Sequence, residues 1–417
     1  MQCCITDFGA RVSDVLQTTA IQAAIDACFL AGGGTVTVPC GVFRTGGIRL
    51  RSGVTLYLKA GAVLEGSTDP EDYLGFWEDT LEPIVVKEEY PSRSVDPFSR
   101  WNNGFIKAID AHDIAIVGEA GSYIDGVDCA DAVGEEGYRG PHLITLQNCD
   151  RVTLKGYTLR RSANWAHAIF RSRDVTIEEV TVYGGHDGID LFLCDRVRIA
   201  RCRLLTGDDC LAGYDNYDVV MRDCYLNSSC SLMRFGGHKV LVENCTADAP
   251  AAFGHRYELS TEERLSRASS DRCRHNTLTV FLYYCDRRFG QPLRYPAGDI
   301  TVRNCTFRGA DCIFNMDFGN HVWCCHRPLT GIRFENCTFT DVCAPMHIFG
   351  SEEEPIDFVM DGVHITARAG CEAMPVLEAK HFDTLTLTDV TCENFAAPRA
   401  VLLTAGKTKT DFPVSTE

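Results

Sequence analysis

The stretch DVTIEEVTVYGGHDGIDLFLCDRVRIARCRLLTGDDC, Asp174 to Cys210, contains one pattern twice. The β-branched run DVTIEEVTV returns 22 residues later as RVRIARCRL when the two are aligned on Val175 and Val197. The same run opens at Val152, Val219 and Val240, giving successive steps of 23, 22, 22 and 21 residues. Further copies begin at Ile300 and Ile332, weaker ones near Phe358 and Leu385, and earlier ones at VTLYLKAGAVL and IAIVGEAGSYI. A strand motif repeating near every 22 residues predicts an all-β parallel β-helix, in which each coil buries its apolar residues only by stacking on its neighbours. Leucine-rich repeats have a similar period, but their LxxLxLxxN signature is absent and no helical crossovers are visible.

Two columns follow from this phase. Five residues past the anchors stand Cys202, Cys224, Cys245, Cys305 and Cys337, small apolar residues suited to an inward column about 4.8 Å from rung to rung. Before each cysteine comes Arg201, Asp223, Asn244, Asn304 or Asn336, and Asn and Asp tolerate the left-handed backbone of a one-residue bend. One helix is expected over about 18–30, with Thr18 or Thr19 as its cap and Ile21, Ala24, Ile25 and Cys28 on one face. It is placed to cover the first coil's open edge.

Twelve residues past the anchors come Asn164, Asp187, Asp209, Ser231 and Ala252. Asp187 and Asp209 are therefore expected one rung apart, with Asp208 and Asp190 beside them. Stacked like charges are costly unless one is protonated or a cation intervenes. Glycoside hydrolysis needs such displaced carboxylates, one neutral acid for the leaving oxygen and one base for water, with inverting enzymes separating them by about 6.5–9.5 Å. A solvated acidic stripe and a calcium site remain as other readings of the same cluster.

Composition narrows the partners. The net charge of −17 on 417 residues argues against nucleic acid and anionic membrane. The 22 cysteines show no spaced-pair framework, and no signal-peptide pattern or long apolar run is visible, so a reduced cytoplasmic protein is expected, or a secreted one if a leader has been cut away. The motif HVWCCH, His321–His326, does not match a zinc-finger spacing. No metal or other cofactor is called for.

The segments ITDFGARVSD, AIQAAIDAC, GGGTVTVPCGVFRTGGIRLRSGVTLYLKAGAVLEGSTDPEDY, IDG and GPHLITLQNCDRVTLKGYTLRRSANW, together with DGID and GDDC, resemble glycoside hydrolase family 28, the polygalacturonase and rhamnogalacturonan hydrolase family. The resemblance implies a right-handed parallel β-helix and an inverting glycosidase on pectin-type oligosaccharides. It makes Asp208 the general acid, Asp187 and Asp209 the residues that hold and deprotonate water, and Asp190 a supporting aspartate. The family's Gly-His-Gly histidine is replaced by Cys230 in NSSCSLMRFGG. Its Arg-Ile-Lys element has TLTVFLYYCD as nearest match, with neither basic residue kept, and rhamnogalacturonan hydrolases are similar in lacking both. Sugar-binding candidates are Arg234, which can take a uronate carboxylate in bidentate fashion, with Asn164, Trp165, His167 and Ser231. A basic insert over about 247–298, including Arg256, Arg274, Arg287 and Arg288, is expected to close one end of the cleft and favour exo action on an anionic oligosaccharide. One domain over 1–417 is expected. The competing functions are a non-catalytic carbohydrate-binding β-helix and a metal-dependent polysaccharide lyase. Oligomeric state is not legible.

Overall fold

Every named strand in the computed structural model joins one of two parallel ladders, of 25 and 12 strands. The structure describes residues 1–73, 104–129, 140–255, 273–285, 293–319, 324 and 327–416. Each full coil contributes three rungs: one of them runs His167–Phe170, Arg173–Glu178 and Thr181–Tyr183, and the next Ile189–Phe192, Asp195–Ala200 and Arg203–Thr206. The fold is the expected parallel β-helix.

The anchors pair as their spacing predicts. Val152 lies opposite Val175, Val175 opposite Val197, Val197 opposite Val219 and Val219 opposite Val240. Beyond them Val240 faces Ile300, Ile300 faces Ile332, Ile332 faces Phe358 and Phe358 faces Leu385. Alternation along each rung turns these residues inward, so stacking coils makes one continuous apolar core.

The cysteine column is buried along its length. Sγ of Cys224 accepts the Cys202 amide at 3.4 Å, and Sγ of Cys305 accepts that of Cys245 at 3.3 Å, so the thiols help satisfy backbone at the coil corners. The residues before them have φ between 51° and 55°: Arg201, Asp223, Asn244, Asn304 and Asn336 all adopt the left-handed bend.

The only α-helix among the described residues, α1 (Thr18–Leu30), buries Ile21, Gln22, Ala24, Ile25 and Cys28 against the first coil. Its cap differs from expectation. Gln17 occupies the N-cap, and Thr18 is the first helical residue, its Oγ1 accepting the Gly46 amide at 2.8 Å. That hydroxyl ties the helix to a neighbouring turn instead of to its own first turn. At the other end Gly33 has φ 103°, and a Cβ there would lie 2.5 Å from the Gly53 carbonyl, so glycine is required where the helix hands over to the ladder.

The basic insert also departs from expectation, because it is not loop throughout. Thr279–Tyr283 is a rung, pairing with Ser231–Phe235 on one side and Cys312–Asn315 on the other. The extra chain is thus divided into two excursions around one structural strand. Arg256, Arg287 and Arg288 lie outside the described residues, as does most of His321–His326.

Candidate active site

The rung Ile189–Phe192 presents Asp190 on the face opposite the core, in a register row that runs Ala168, Asp190, Ala212, Arg234. Just before this rung and the next, the chain turns through Asp187 and through Asp208–Asp209. The Asp209 amide donates to Oδ1 of Asp187 at 3.2 Å, and the Ser231 amide donates to Oδ1 of Asp209 at 3.0 Å. These two bonds place Asp187, Asp209 and Ser231 at equivalent positions of three successive coils, as the repeat phase predicts.

The Asp208 turn is pinned through its main chain. Hydroxyls of Thr206 and Ser228 both donate to the Asp208 carbonyl, Ser229 donates to that of Gly207, and the Asp208 amide donates to the His186 carbonyl. The Asp208 side chain is left 18% exposed, while Asp187, Asp190 and Asp209 are buried. One oxygen each of Asp187, Asp208 and Asp209 lie within 4.8 Å of one another. That limit applies to the nearest oxygens, one from each carboxyl group.

Two devices offset the like charge. Burial, reinforced by the neighbouring carboxylates, pushes Asp187 well above the usual carboxylate range, and burial does the same to Asp190. Asp190 lies against Asp187, and among the described residues no donor reaches its oxygens, an arrangement that favours a proton shared between the two carboxyls. The second device is Arg234. Its Nε donates to Oδ2 of Asp209, its Nη2 lies 3.6 Å from Oδ2 of Asp187, and its guanidinium rests 4.3 Å from the Tyr284 ring centre. Burial raises Asp209, but the guanidinium opposes that rise and favours the ionised form.

Arg234 therefore sits inside the cluster as its counter-charge instead of standing as a donor for the sugar. It shares a register row with Asp190, and the small Ala212 between them leaves room for the side chain.

Three other sugar-binding candidates are displaced by a single residue. From Val175, Val197 and Val219 to the next core position (Ile189, Leu211, Met233) is 14 residues, but from Val152 to His167 it is 15. One extra residue in the turn before His167 shifts that coil's phase, and a one-residue slip exchanges the two faces of a strand. His167 consequently points into the core, with Nδ1 3.0 Å from the Gly188 carbonyl and Nε2 3.1 Å from the Tyr157 hydroxyl. Burial lowers its pKa to about 4. By the same slip Trp165, not Asn164, is the counterpart of Asp187. Asn164 is buried and donates to the Gly140 carbonyl at 3.1 Å, bracing a turn. Trp165 is only 7% exposed, stacked on Phe192 at 5.7 Å and beside His142 at 5.0 Å, which leaves no open face for a pyranose. Ser231 is buried too, and its established contact is the main-chain bond to Asp209.

The structure adds His255, whose Nε2 lies 3.5 Å from Oδ2 of Asp208. Cys230 approaches Asp208 from the adjacent coil, so carboxylate, thiol and imidazole donor atoms all fall within 4.8 Å of each other. Cys230 was visible in the sequence as a substitution. His255 had no periodic signal, because it lies where the repeat is interrupted. Tyr284, under Arg234, was hidden for the same reason.

Residues 36–232 match the model of Glycosyl hydrolases family 28. A probable polygalacturonase of Vitis vinifera is 30% identical over 233 residues, covering 52% of this chain and 45% of the relative. An exo-poly-alpha-D-galacturonosidase of Dickeya chrysanthemi is 49% identical over 248 residues, 49% of this chain and 40% of the relative. The chain thus spans less than half the length of these two relatives. An exopolygalacturonase structure from Thermotoga maritima superposes with a TM-score of 0.64 at 18% identity, covering 88% of this chain and 87% of that one. That likeness fixes the fold as a right-handed parallel β-helix. The segment matched by the family model carries Asp187, Asp190, Asp208 and Asp209.

Proposed function

We propose that the protein is a glycoside hydrolase that cleaves O-glycosidic bonds of a pectin-type, anionic oligosaccharide from one chain end, with inversion. The observation that carries this reading is the division of labour among the carboxylates. Asp208, the one left partly exposed, is the general acid that protonates the leaving oxygen. Asp209, whose ionised form Arg234 favours, takes the proton of a water that it shares with Asp187. Asp190 keeps the shared proton of the buried pair and sets the charge of the cluster. The exo mode and galacturonide-like substrate draw support from the Dickeya relative's name. The reaction needs no cofactor. The free thiols of the cysteine column suit a reducing compartment, where imported fragments would be the substrate.

The lyase reading needs a divalent cation among the carboxylates, and Arg234 already supplies positive charge there. A binding-only protein is the stronger competitor, since Cys230 replaces the family histidine. Mass spectrometry of a panel of pectic oligosaccharides treated with wild type and Asp208→Asn separates them. The expected result is stepwise loss of terminal sugars by wild type and none by the variant, with both folded and both binding. Binding without products from the wild type would leave the binding-only protein. Proton NMR of the first product reports its anomer: a retained configuration would replace inversion by direct carboxylate attack, which the short oxygen spacing also permits.

A further inference from the structure

The donor set around Asp208 has chemistry that an acid catalyst does not require. Asp208, Cys230 and His255 offer a carboxylate oxygen, a sulfur and an imidazole nitrogen, all within 4.8 Å of one another. They come from three different parts of the chain: the Asp208 turn, the next coil, and the excursion after Cys245. Tetrahedral zinc, with bonds of about 2.0–2.3 Å, places its ligands roughly 3.3–3.8 Å apart. The His255 Nε2 to Asp208 Oδ2 distance of 3.5 Å already fits that geometry. The Cys230 sulfur lies within 4.8 Å of both other donor atoms.

We propose that Asp208, Cys230 and His255 form a binding site for a soft divalent cation of the zinc class, and that its occupation inhibits the enzyme. The site has three protein ligands, each partly exposed. A cation there takes the oxygen on which Asp208 carries its proton, so hydrolysis and metal binding exclude each other. Asp187, Asp208 and Asp209 also lie within 4.8 Å of one another, yet Arg234 is bonded to two of them and competes with a cation for that position. At the Cys230 site Asp208 and Asp209 favour the cation, while the charge of Arg274 opposes it.

Equilibrium dialysis with Zn²⁺ tests the site without reference to catalysis. Cys40 is exposed, so the comparison is made in a Cys40→Ser background. The expected outcome is one zinc equivalent that is lost, or weakened at least tenfold, in both Cys230→Ser and His255→Asn, with their unfolding midpoints unchanged. Equal stoichiometry and affinity in all three proteins would overturn the site. The inhibition rests on the proposed hydrolase activity: zinc should abolish product release in the Cys40→Ser protein and act at least tenfold more weakly on Cys230→Ser. Zinc bound through these residues with undiminished hydrolysis would overturn the inhibitory role alone. An absence of hydrolysis on every substrate would instead defeat the hydrolase reading and leave the dialysis result standing.

Discussion

Replacing Arg234 by Met would leave Asp187 and Asp209 facing each other without the cation that now lies beside both. Breaking a buried ion pair from one side costs about 3–5 kcal/mol. Arg234→Met should therefore lower the urea stability at pH 7 by that order. The loss should shrink on acidification, because protonated carboxyls no longer need the guanidinium; an equal loss at pH 4.5 would contradict this role. His167 acts with a separate sign. Its folded pKa of about 4 lies below the ordinary 6.5, so the unfolded chain takes up a proton first as pH falls. Its stabilising effect is complete above about pH 6.5 and is lost between there and pH 4, by about 3 kcal/mol. The carboxyls of Asp187 and Asp190 titrate oppositely: their raised pKa values make the fold more stable as pH falls toward the ordinary carboxylate range. Urea titrations of wild type and His167→Gln over pH 4–7 isolate the histidine. The variant should lack the component that weakens wild type on acidification, and identical pH slopes would show that His167 does not carry it.

Within the elements, local chemistry decided how much could be read in advance. The period announced itself because Val152, Val175, Val197, Val219 and Val240 occupy one inward column. The bends were legible because Asn and Asp recur where φ must be positive. Asn304 shows what that is worth: its φ is 54°, a region that a β-branched residue occupies only at about 1–2 kcal/mol or more. Asn304→Val should lose stability of that order by urea denaturation, while Asn304→Gly should change it by less than about 0.5 kcal/mol. Equal effects would remove the bend as the reason for asparagine. The carboxylate site was legible for the same reason as the coils, since Asp187 and Asp209 are separated by one full period. What failed was counting across an irregular turn. A single extra residue before His167 reversed the predicted direction of that side chain and left Asn164 and Trp165 bracing the coil. His255 and Tyr284 lie where long excursions break the period, so nothing in their spacing tied them to Asp208 or Arg234.

At the scale of the molecule, the ladder runs from Gln2–Cys4 to Val414–Thr416, with the described rungs paired to neighbours along the stack. We propose on this ground that residues 1–417 are one domain. A coil buries its apolar column only against the coils above and below, so removing one exposes two faces of core. The site has the same dependence: Asp187, Asp208–Asp209 and Arg234 come from three successive coils, and their relative positions are set by the register of those coils. Unfolding of the stack and dispersal of the carboxylates should therefore be one event. Far-UV circular dichroism, tryptophan fluorescence and residual hydrolysis, followed through urea at pH 7, are expected to share a single midpoint. Fluorescence reports in part from Trp165, which lies against Phe192 beside the site. Activity lost well before circular dichroism would mean that the central coils open independently of the rest, and two separated circular-dichroism transitions would divide the chain into two domains.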